Sequence, residues 1–226
     1  MFCLHVLIIF VYFLSFKALV HFINLAIGFM LTLILKKTLH HYLRNCHYAD
    51  ILVALPSKYP FVGNLVKVSL ALLCRHLDHN QLAKSLSLTQ SDICIILKVL
   101  SNKIPSKDEE KMSWHTFTRI ELLLAMKGFC LLKDNCLEFI KQGGLSILSS
   151  ILDSTEKDEQ EATLLLLWQL SYSEPQIVGQ SGTELMKKVC RLPADEGSNL
   201  FTLTAFVPHC LLQTLPEGKV HLMNYM

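Results

Sequence analysis

Between Leu122 and Cys190 the chain runs through two long apolar stretches, each broken by a short polar turn and closed by a glycine-led apolar segment. The two stretches read as copies of one unit. Gly144 and Gly182 are 38 residues apart, and so are Leu152 and Cys190, the residues that close the apolar run after each glycine. A unit of helix, turn and helix recurring near every 40 residues is the mark of a helical solenoid, in which each repeat buries its apolar face against the next. The expected fold is all-α.

Taken in order, the pattern predicts an amphipathic helix from Phe61 to Leu77 with Leu65, Val68 and Leu72 inside. Asp78-His79-Asn80 turns the chain into a short helix over Gln81–Leu86. Ser91 or Thr89 supplies the N-cap of a helix over Ile93–Leu100. The polar insert Ser101–Lys111 then reads as a surface loop at a repeat junction. A long helix is expected from Trp114 to Leu132, with Gly128 leaving room for a close neighbour. A short helix over Cys136–Ile140 ends at Gly143-Gly144, and Leu145–Leu152 follows. In the second copy the segments are Glu161–Leu170, Gln176–Gly179 and Glu184–Arg191, with acidic residues from Asp153 to Glu161 complementing a helix N-terminus. Asn199–Leu212 reads as one more long helix that Pro208 would kink. The chain stops at Met226 inside what reads as the start of a further repeat, so the solenoid is expected to be truncated or to continue in a longer protein.

The first 37 residues follow another rule. Residues 2–16 and 18–35 are two apolar runs separated by Lys17. As a helix the second spans about 27 Å, close to the roughly 30 Å of a bilayer core. It ends in Lys36-Lys37, and basic flanks stay on the cytoplasmic side, which puts the rest of the chain in the cytosol. The first run is short for a span and reads as a re-entrant or tilted partner, or as the start of one long tilted helix. A signal peptide is the weaker alternative, since no charged leader and no small-residue cleavage site precede a mature start. A buried end helix and a misjudged start of translation also remain open. The organisation expected is therefore a membrane anchor over 1–37, a basic helical linker over 38–60 and a repeat domain over 61–226.

Charge sharpens this division. Residues 1–49 carry a formal +4, and the chain as a whole +2, so the remainder is acidic by two. That is two regions in different solvents and not a nucleic-acid binder. The 8 cysteines form no CxxC pair, and most sit in apolar helical runs, where they act as small buried hydrophobes in a reducing compartment. His40, His41, Cys46 and His47 are metal-capable but do not converge on a helix, and His76 and His79 read as turn residues. No phosphate-cradling loop, nucleophile elbow or HExxH motif occurs. Neither a metal, a cofactor nor a small-molecule substrate is indicated.

The run EATLLLLWQLSYSEPQIVGQSGTELMKKVC resembles an armadillo repeat, with alanine early in the long helix, leucine-serine at its end, a polar turn, a short helix, glycine and a closing apolar helix. The preceding copy, with Gly-Gly-Leu-x-x-Leu, is similar, and residues 61–100 match loosely. The resemblance covers about residues 61–190 and implies a right-handed armadillo/HEAT-like solenoid that binds a protein partner along its long helices. Peptide-clamping members of the family carry a Trp-x-x-x-Asn pair there. The corresponding positions here are Leu165 and Gln169, so that pair is absent. Trp168 and Gln169 are the candidate partner-binding residues. A membrane segment before such repeats is similar to armadillo proteins of mitochondrial outer membranes, and divergent repeats also precede TIR-type NAD-cleaving domains. The reading is a non-catalytic, membrane-tethered interaction scaffold; the alternatives are a regulatory fragment of a TIR-type protein and a soluble cytosolic solenoid.

Overall fold

The computed structural model describes residues 52–54, 63–74, 85–102, 114, 117–181, 183–192 and 199–214. The expected anchor over 1–37, most of the linker and the histidines at 40, 41, 47, 76 and 79 lie outside them. The chain divides into two compact units, residues 1–76 and 77–226. All regular structure among the described residues is helical, so the fold is all-α.

In the first unit, α1 spans Gly63–Leu72. It buries Val66, Val68, Ser69, Leu70 and Ala71, more than one stripe of its surface. Val68 is inside as expected, whereas Leu65 and Leu72 are half-buried. Ser69 is accommodated there because its hydroxyl donates to the Leu65 carbonyl at 2.9 Å.

The second unit holds α2 (Gln90–Leu100), α3 (Arg119–Phe129), α4 (Lys133–Lys141), α5 (Gly144–Ile151), α6 (Lys157–Ser173), α7 (Pro175–Ser181), α8 (Thr183–Arg191) and α9 (Asn199–Thr214). A long helix followed by two short ones occurs twice, at 11, 9 and 8 residues and then at 17, 7 and 9, before α9 adds 16. Long helices pack on long ones, α6 lying against both α3 and α9. The helices that close each set pack likewise, α5 against α2 and α8. The apolar circumference of α6 follows from this double contact: Ala162, Leu164, Leu166, Leu167 and Leu170 are all buried.

Two of the helix starts, those of α2 and α3, are set by side chains that accept from the otherwise unpaired first amides. Thr89 caps α2, its hydroxyl accepting from Asp92 N at 3.1 Å while the Asp92 carboxylate accepts from Thr89 N at 3.0 Å. The same reciprocal box, Thr118 with Glu121, opens α3. This corrects the expected start at Trp114, because the capping pair fixes the first turn at Arg119 and frees Trp114 to enter the core, where it is fully buried. The other expected boundaries shift less. Helix α6 runs beyond Glu161 and Leu170 at both ends, with Asp158 and Glu159 in its first turn. Pro208 is buried within α9, which stays helical on both sides of it.

Two adjacent glycines between α4 and α5 do different things. Gly143 has φ 88°, the left-handed conformation that ends a helix without a Cβ penalty. Gly144 begins α5 beneath the Phe139 ring, and a Cβ there would overlap that ring.

Side-chain links tie each helix set to the next. Arg119 on α3 pairs with Glu159 on α6 at 2.8 Å, 40 residues on. Lys188 on α8 donates to Asp153 Oδ2 at 2.7 Å and to the Ser149 carbonyl at 3.2 Å. Asn135 is the deepest link: its Oδ1 accepts from Leu88 N, and its Nδ2 donates to the carbonyls of Leu86 and Phe129. Only 3% exposed, it holds the approach to α2, the end of α3 and the start of α4 together.

Candidate functional site

The two residues singled out in the sequence lie side by side on α6 and are built differently. Trp168 is half-buried. The Lys127 ammonium from α3 sits 5.7 Å from its ring centroid, within cation–π range. Phe206 from α9 approaches the same ring at 6.4 Å between centroids, tilted by 37°. Lys127, Trp168 and Phe206 therefore form a row across three consecutive long helices, at intervals of 41 and 38 residues.

Gln169 turns to the neighbouring helix. Its Nε2 donates to Ser173 Oγ at 3.0 Å, and Ser173 Oγ donates to the Cys130 carbonyl at 3.5 Å. The amide is thus engaged in closing the end of α6 onto the end of α3.

The sequence reading missed the residues that give this region its character. The exposed large hydrophobics among the described residues are Leu131, Tyr172 and Phe206, at 44%, 76% and 47%. Each lies on, or just past the end of, one of the three long helices. Tyr172 stands one turn beyond Trp168 and so shares its face. Leu131 stands four residues beyond Lys127, at the same interval. The signal was available: the near-40-residue spacing that relates the helices also relates 131 to 172 and 127 to 168. What hid it is that each helix contributes only one or two members, too few to change its own periodicity.

Four of the described cysteines fall into two pairs. Cys130 and Cys136 are fully buried, as expected of core residues. The hydrogen bond with Cys136, then burial, holds the Cys130 thiol well above the ordinary thiol range, so it stays protonated and unreactive. Cys94 corrects the expectation that the helical cysteines are buried: it is exposed, on the outer side of α2. Cys190 is exposed as well, with its thiol raised by partial burial. No group of three or more metal-capable side chains occurs among the described residues.

No described helix is long and apolar enough to cross a membrane; the apolar run over 18–35 lies outside the described residues. Comparison of the chain with protein-family models, with curated proteins and with solved structures finds no match.

Proposed function

We propose that the chain is a non-catalytic interaction scaffold, an armadillo-like right-handed solenoid that binds a protein partner along its long helices and is tethered to a membrane through residues 18–35. The observation that carries the reading is the row Lys127, Trp168, Phe206 with Leu131 and Tyr172 beside it. Among the described residues three large apolar side chains stand exposed, and they lie on or just past the ends of successive long helices. Exposed apolar residues gathered on one region, and aromatic ones above all, are the usual anchors of an interface. The repeat order of helices and the Arg119–Glu159 link one repeat apart support the solenoid. The basic flank at Lys36-Lys37 supports the orientation with the repeats in the cytosol.

A photo-reactive amino acid placed at Tyr172, and separately at Asn102 as a control position, tests the binding claim in cells. The expected result is a discrete cross-linked adduct from position 172 and none from position 102. Equal labelling from both positions, or none from 172, would refute it. The tether is tested by fractionating a chain that lacks residues 1–37. It is expected in the soluble fraction, and unchanged recovery with membranes would contradict the tether.

A further inference from the structure

We draw no further inference here: the strongest candidate, the open recess of about 380 Å³ where α2, α3 and α5 meet the turn into α6, carries nothing, because its charged residues Arg119 and Asp153 are already paired with Glu159 and Lys188, its Ser101 and Ser150 hydroxyls already donate to helix carbonyls, and nothing in the structure shows what fills it.

Discussion

The indole N–H of Trp114 donates to Asp92 Oδ1 at 3.1 Å, joining residues 22 apart across the polar insert. The other carboxylate oxygen of Asp92 closes the Thr89 capping box, so one side chain both starts α2 and anchors the return of the chain after the insert. Trp114 packs edge-on to Phe129 and tilted to Phe117, and is fully buried. Trp114→Phe keeps much of the ring and removes the donor to a carboxylate that is only 7% exposed. A loss of about 1–3 kcal/mol is expected by urea denaturation. A change near zero would mean that the insert is not anchored through this bond.

Asn135 is a sharper case, because three backbone groups depend on one amide. Asn135→Leu leaves the Leu88 N–H and the carbonyls of Leu86 and Phe129 without this partner, with an expected cost of about 3 kcal/mol or more. Asn135→Asp keeps the shape but turns a carboxylate oxygen toward two carbonyls, and is expected to cost at least as much at neutral pH. Thermal melts of the two variants compare the predictions directly.

The glycine pair separates backbone strain from crowding. Gly143→Ala meets open space but must hold φ 88°, at about 1–2 kcal/mol. Gly144→Ala has ordinary backbone angles and collides with the ring of Phe139, which is fully buried, at about 1–3 kcal/mol of overpacking. The two differ in rescue: Phe139→Leu is expected to recover stability in the Gly144→Ala background and none in Gly143→Ala.

Cys130 makes stability depend on alkaline pH. Its folded-state thiol is raised above the ordinary value of 9.0, so above that pH the unfolded chain loses a proton that the native state keeps. Stability is whole below pH 9 and falls as the pH rises beyond it, by up to about 1.4 kcal/mol per pH unit for this one group. Cys130→Ala should flatten that fall. Below pH 9 the thiol-labelling order should be Cys94 before Cys190, with Cys130 and Cys136 reacting only on unfolding.

The helix order was legible because apolar spacing alone carries it: the runs ending at Leu100, Leu152 and Cys190 all form helices that end at or within one residue of those positions. Gly143 was legible as a helix terminator because few residues accept its backbone. Thr118 was overlooked, although Thr118-Arg119-Ile120-Glu121 is a capping box on its face, because the apolar pattern continues upstream through Phe117 and Trp114. Asn135 was not legible as a link, since nothing local reveals that its partners lie at 86 and 88. Trp168 stood out among leucines, but the surface it belongs to is assembled from helices about 40 residues apart, and only packing brings Lys127 and Phe206 to it.

The central claim is that the long-helix surface is an interface, and a paired substitution reads it most directly. Tyr172 and Phe206 are 76% and 47% exposed, so Tyr172→Ser with Phe206→Ser removes exposed apolar area at little cost to folding. The measurement is the native size of the chain extracted from cells, by sedimentation, with the melting temperature as a control. The wild-type chain is expected in an assembly larger than itself, and the double variant at the size of the free chain with its melting temperature within a few degrees. Co-sedimentation of the two at the same size would contradict the account.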